Sequence, residues 1–108
     1  MSWEIHPREA RNLLDAGEAL ALDVREHDEW HRGHIRDALH IPLGELAARL
    51  HELPRGATLV AVCRSGSRSG MVVGPLRRHG FDIVNLGGGL LSWHASGLPL
   101  EPAPGTVA

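Results

Sequence analysis

An α/β fold built on a mainly parallel sheet is predicted by two features of the sequence. Short apolar runs of strand length alternate with helical stretches along the whole chain, which is the pattern of strands joined by helical crossovers. The chain is also only 108 residues long, with 43% hydrophobic residues, so these elements share one core in one domain.

The first element, HPREARNLLDAG from His6 to Gly17, reads as a short helix with Leu13 and Leu14 on its apolar face and Gly17 as its stop. ALALDV, residues 19 to 24, is a strand: apolar, and too short for a helix. EHDEWHRG is polar around Trp30 and gives a helical turn or two ending at Gly33. DALHIP, residues 37 to 42, is a second short strand closed by Pro42. LGELAARLHEL then carries Leu43, Leu46, Ala47 and Leu50 at helical spacing, as expected of a helix lying on a sheet.

TLVAVC, residues 58 to 63, is the clearest strand, with apolar and β-branched residues behind Pro54 and Gly56. GMVVGPLRRHG favours a helix by its length, its Arg77–Arg78 pair and its terminal Gly80, with Ser67 or Ser69 as N-cap. Pro75 fits that helix only if it lies near the first turn. FDIVNL is the last strand, and GGGLLSWHASG a helix opened by glycines. Residues 1–100 form the predicted domain, and 101–108, EPAPGTVA, are expected to be a frayed or extended tail. There is no internal repeat.

Composition narrows the functional classes. A net charge of -2 with histidines neutral argues against a nucleic-acid surface or attraction to an anionic membrane. The apolar runs are too short to span a bilayer, and MSWEIHPREA lacks the basic start and apolar core of a signal peptide. A single cysteine forms no internal disulfide, which favours a reducing compartment, and a cytoplasmic location is expected.

That cysteine, Cys63, sits in VAVCRSGSRSG, residues 60 to 70, where an apolar strand gives way to small residues and arginines. In an open α/β sheet, sites gather beyond the carboxyl ends of the strands. Cys63 and the segment Asp23 to Arg25 therefore belong on one edge. Strand, tight loop and helix start make an anion cradle: backbone N–H groups turn inward and the helix dipole adds positive potential. Gly66 permits a left-handed backbone, while Ser65 and Ser67 add hydroxyls without bulk. Arg64 and Arg68 strengthen the field and could hold a divalent oxyanion. A thiol there ionises more easily. A lone cysteine ending an apolar strand is otherwise a small buried hydrophobe, but two arginines are poor neighbours for an inert thiol.

Loop length separates two chemistries. Cysteine-dependent phosphatases resemble this pattern but place five residues between Cys and Arg; here four separate Cys63 from Arg68. The tighter loop suits a smaller group, such as one sulfur carried on the cysteine. Arsenate reduction using several cysteines is disfavoured because no second cysteine is present.

From about Ile5 to Leu100 the chain resembles the rhodanese family. VCRSGSRS is similar to its active-site loop, LDVREHDEWHRGHIRDALHIP (residues 22 to 42) to its D-x-R-x-x-x-E-aromatic-x-x-G-H-I segment, and VNLGGGLLSW (residues 84 to 93) to its L-x-G-G-x-x-x-W element. The resemblance implies a rhodanese-like fold, with about five strands flanked by helices on both faces, and sulfurtransferase chemistry through a Cys63 persulfide. Residues Arg64, Ser65, Gly66, Ser67 and Arg68 would bind the substrate. A small anionic donor such as thiosulfate and an acceptor that is cyanide, a thiol or a partner protein are implied; no metal or organic cofactor is. The alternative from another class is a rhodanese-like module that docks a partner or relays persulfide without turnover, which the intact cysteine loop argues against.

Other residues invite over-reading. Asp23 and Arg25 match the family's strand-end pair and are expected to be an ion pair bracing the loop rather than a substrate contact. His27, His31 and His34 share a helical spacing, but Gly33 should end the helix before His34, so a metal site is not expected. His34 is expected to be a hydrogen-bonded scaffold residue, and Trp30 and Trp93 core or near-core aromatics. Gly87 to Gly89 read as a close-packed turn, since the chain has no lysine and no phosphate-loop frame.

Overall fold

A computed structural model describes residues 3–103 and 105–108. Five parallel strands form one sheet: β1 (Glu4–Ile5), β2 (Ala19–Asp23), β3 (Leu39–His40), β4 (Thr58–Val62) and β5 (Ile83–Leu86), in the order β1-β5-β4-β2-β3. Strand β4 is central. It pairs along its whole length with β2, from Ala19 opposite Thr58 to Asp23 opposite Val62, and on its other side with β5, Leu59 lying opposite Ile83.

The two-residue periodicity of β4 divides the interior. Leu59, Ala61 and Cys63 face one core, joined by Leu22, Val24, Ile83 and the helix residues Val72, Val73 and Leu76. Val60 and Val62 face the other, with Ala10, Leu86, Leu90 and Trp93. Helix α3 (Ser67–Arg78) therefore covers one face, while α1 (Pro7–Asp15) and α4 (Gly89–Ala95) cover the other. A short α2 (His27–Arg32) ends at Gly33, before His34.

The structure departs from or adds to the sequence reading in four places. The edge strand β1 was not predicted: at two residues, one exposed, it leaves no periodic signal. The helix expected over LGELAARLHEL is instead two 3₁₀ segments, Leu43–Glu45 and Ala47–Glu52, with Arg49 off helical geometry (φ -120°). Its leucines explain the difference. Leu43 and Leu46, then Leu50 and Leu53, stand three apart, the repeat of a 3₁₀ turn, and all four meet the first core.

Helix α3 starts one turn earlier than its apolar residues suggest, with Gly66 rather than either serine as N-cap. Pro75 lies well inside it, where it removes the bond to the Met71 carbonyl. Burial of Val72, Val73 and Leu76 on the sheet outweighs that loss. Of the frayed and extended alternatives for the tail, its described residues are docked rather than frayed. Glu101 and His34 exchange backbone bonds of 2.8 and 2.9 Å, and the Thr106 amide donates to Arg32 at 3.1 Å. Gly33 makes this approach possible, since a Cβ there would lie 2.5 Å from the Thr106 carbonyl, and Val107 packs on the second core.

Candidate active site

Cys63 follows directly on β4 at the middle of the sheet's carboxyl edge, and is fully buried. Its sulfur forms the floor of a loop that returns into α3 through Gly66, whose φ of +97° is the left-handed turn that glycine permits. The Gly66 amide donates to Sγ at 3.1 Å and the Ser69 hydroxyl lies 3.3 Å from it. Burial pushes the thiol pKa up. The Ser69 hydroxyl and the amides of Ser69, Gly66 and Ser65 outweigh that and bring it below the ordinary thiol value.

The triple glycine holds this loop from outside. Leu90 N–H donates to the Cys63 carbonyl at 2.9 Å and Leu91 N–H to the Arg64 carbonyl at 3.0 Å. Because each peptide unit is planar and trans, carbonyls fixed toward α4 turn the next amides away from it, into the loop. Gly89, with φ +61°, is what lets the two segments meet, since a Cβ on it would lie 2.5 Å from the Arg64 carbonyl oxygen.

Both loop arginines, expected to strengthen the field and to be able to hold an oxyanion, have partners within the chain. Arg68 makes a two-pronged ion pair with Glu29 at 2.7 and 2.8 Å, and the Arg64 Nε donates to the Ala108 carbonyl at 2.8 Å. Ser65 and Ser67 are exposed and bonded to each other at 3.1 Å. The lowering at the sulfur comes mainly from neutral hydrogen-bond donors, with the Glu29-paired Arg68 alongside.

Asp23 and Arg25 form a buried pair, 1% and 0% exposed, in which the Arg25 Nη2 reaches Asp23 at 2.8 Å. The same guanidinium donates to the carbonyls of Glu29 at 3.2 Å and Gly33 at 2.7 Å, so it holds α2 at its middle and at its C-cap. It thereby sets the position of Glu29, and through Glu29 that of Arg68. Beside this segment Trp30 is stacked between His34 (3.6 Å) and His40 (4.6 Å). The His34 Nδ1 lies 2.9 Å from the Trp30 carbonyl, and Trp93 is buried with its indole N–H on Pro99.

The hydrogen bond from Arg68, against some burial, lowers the Glu29 pKa from 4.5 to about 2. A depressed carboxylate stabilises the fold fully above its unfolded value and loses that contribution as pH falls through the folded one. Urea unfolding of wild type and Glu29→Gln should therefore differ at pH above about 5 and converge toward pH 2. A gap that persists unchanged at pH 2 would show that the ion pair is not its source.

Sequence reasoning gave no site role to Glu29, Ser69 or Asn85, and read Gly89 as part of a close-packed turn. Ser69 was weighed only as a cap, and Asn85 had one visible signal, a polar residue inside the apolar run FDIVNL.

Comparison with known proteins places this geometry. The family model described as "Rhodanese-like domain" matches residues 6–96. A sulfurtransferase from Allochromatium vinosum is 34% identical over 97 residues, covering 89% of this chain and 91% of its own. The putative sulfur carrier protein YrkF of Bacillus subtilis is 36% identical, over 83% of this chain and half of its own. The crystal structure of a rhodanese-related protein from Thermoplasma volcanium superimposes with a TM-score of 0.85 at 31% identity, covering 90% of this chain and 95% of that one. Among the described residues no helix is long and apolar enough to cross a membrane, and no three His, Cys, Asp or Glu residues are grouped to hold a metal.

Proposed function

The chain belongs to the rhodanese-like family, and from that premise we propose that it is a sulfurtransferase which carries a sulfane sulfur on Cys63, with thiosulfate or a related anion as donor. The observation that carries the reading is the Cys63 sulfur set among converging hydrogen-bond donors, with its pKa lowered despite full burial.

The thiolate attacks the outer sulfur of thiosulfate. A new S–S bond forms on Cys63, the donor's S–S bond breaks, and sulfite leaves with the electron pair. The persulfide anion keeps the single negative charge. Its outer sulfur is then taken by cyanide or an acceptor thiolate, and Cys63 departs again as thiolate. Two half-reactions through a covalent intermediate give double-displacement kinetics. The donors around Sγ stabilise the anion at both ends of the cycle. Since Cys63 has no exposed surface, the loop must open enough to admit the donor's terminal sulfur. Arg64, Ser65, Gly66, Ser67 and Arg68 form the rim through which it enters, and Asp23 with Arg25 brace that rim through α2. Relatives named as sulfurtransferase and sulfur carrier support a thiol or a protein as the acceptor in a cell.

Thiocyanate formation from thiosulfate and cyanide tests the reading. The expected result is parallel double-reciprocal lines for the two substrates and no activity in Cys63→Ser. Intersecting lines would contradict a persulfide cycle. Turnover with another donor alone would retain the cycle and replace thiosulfate.

A further inference from the structure

Two of the donors around the Cys63 sulfur, the Gly66 amide and the Ser69 hydroxyl, are tied to one residue of a different element. Asn85, on β5, is 4% exposed and lies on the face that Ile83 shares with Cys63. Its Nδ2 donates to the Gly66 carbonyl at 2.9 Å and reaches the Glu4 carboxylate at 3.4 Å. With Nδ2 between those two acceptors, Oδ1 is turned to the Ser69 hydroxyl at 2.6 Å. Gly70 makes room for this, since a Cβ there would stand 3.3 Å from Nδ2. Gly66, whose amide holds the sulfur, is thus fixed through its carbonyl, and Ser69, whose hydroxyl faces the sulfur, directly.

Ser69 has one hydroxyl proton and three acceptors within reach: Asn85 Oδ1 at 2.6 Å, Cys63 Sγ at 3.3 Å and the Gly66 carbonyl at 3.5 Å. Which acceptor receives it depends on charge, because a hydrogen bond to an ionised acceptor is the stronger one. A thiolate draws the proton from Asn85. Once Sγ is the inner, uncharged atom of a persulfide, the amide oxygen is the better acceptor and the hydroxyl returns to it.

We propose that Ser69 is a catalytic residue that moves its hydrogen bond between Asn85 and the Cys63 sulfur as charge on that sulfur comes and goes, and that Asn85 is the positioning residue that holds both donors to the sulfur. This rests on Cys63 as the nucleophile and deepens that reading. The hydroxyl stabilises the attacking thiolate in the first half-reaction and the departing thiolate in the second, with no net proton transfer in either. Of the other charged groups around the loop, Arg64 donates to the Ala108 backbone oxygen. Arg68 is held by Glu29 and Asp23 by Arg25, and Glu4 lies beyond the Asn85 amide.

The test is an ultraviolet titration of the thiolate, which the chain suits because it has one cysteine and no tyrosine. Ser69→Ala should raise the thiolate transition by roughly one to two pH units, the effect of one hydrogen bond to a charged group. Ser69→Thr, which keeps the hydroxyl, should titrate close to wild type. Asn85→Ala should shift the transition in the same direction by less, and the double variant somewhat further than Ser69→Ala alone, because Asn85 also holds the Gly66 amide through its carbonyl. A folded Ser69→Ala with a wild-type transition overturns the proposal, as does a Ser69→Thr that titrates with the alanine variant. If Ser69→Ala fails to fold, Asn85→Ala decides alone, an unmoved transition counting against the proposal. The titration needs no donor, so absence of sulfur transfer and absence of this shift are separate failures.

Discussion

Replacing Arg25 with methionine is expected to destabilise the fold by about 3–5 kcal/mol, the cost of stranding a buried carboxylate. Asp23 is 1% exposed, and without the guanidinium it keeps only the amide of residue 25, at 3.0 Å. Against a total stability of about 5–15 kcal/mol for a domain of this kind, the loss leaves a large unfolded fraction at moderate urea. Converting Asp23 to leucine in the same chain removes the stranded charge and should restore part of the loss. It cannot restore all of it, because the carbonyls of Glu29 and Gly33 also lose their donor. Equilibrium urea unfolding of the three variants measures this. A single variant within about 1 kcal/mol of wild type would put the pair in the class of solvent-screened surface bridges and refute its bracing role.

The second large effect is expected at Gly89. Gly89→Ala places a Cβ within 2.5–2.6 Å of the Cys63 and Arg64 backbone while φ stands at +61°, so the loop itself has to move. Gly97 is the control: its φ of +77° carries the same backbone strain, but nothing lies within 4 Å of a Cβ there. Gly97→Ala should cost about 1–2 kcal/mol, the usual cost of a left-handed non-glycine residue, and leave sulfur transfer unchanged. Gly89→Ala should cost more and should also lower the transfer rate at least about tenfold, because displaced amides no longer converge on the sulfur. Equal losses of stability with full activity in both variants would show that the close contact does not shape the loop.

What the sequence made legible was whatever repeats or stands out locally. The apolar, β-branched run TLVAVC behind Pro54 and Gly56 located the central strand, and a cysteine at its end followed by RSGSR located the loop. The order of three motifs carried the family, which the match over residues 6–96 shows. What stayed hidden depended on contacts between distant residues. Glu29 and Arg68 are 39 positions apart, and Ser69 and Asn85 are 16 apart, so no local pattern pairs them. For that reason the sequence shows that Arg68 could hold an anion but not that Glu29 already pairs with it. The 3₁₀ segments after Pro42 were missed because leucines three apart and four apart look alike until the sheet selects between them. The docking of the tail was not legible for a similar reason, since it depends on Gly33, some 70 residues earlier.

Intact-protein mass after incubation with thiosulfate, and again after cyanide, tests the central claim most directly. Wild type should gain the mass of one sulfur atom and return to its starting mass with cyanide, and Cys63→Ser should not change. No gain in the wild type with any sulfane donor, or an equal gain in Cys63→Ser, would contradict a persulfide carried on Cys63.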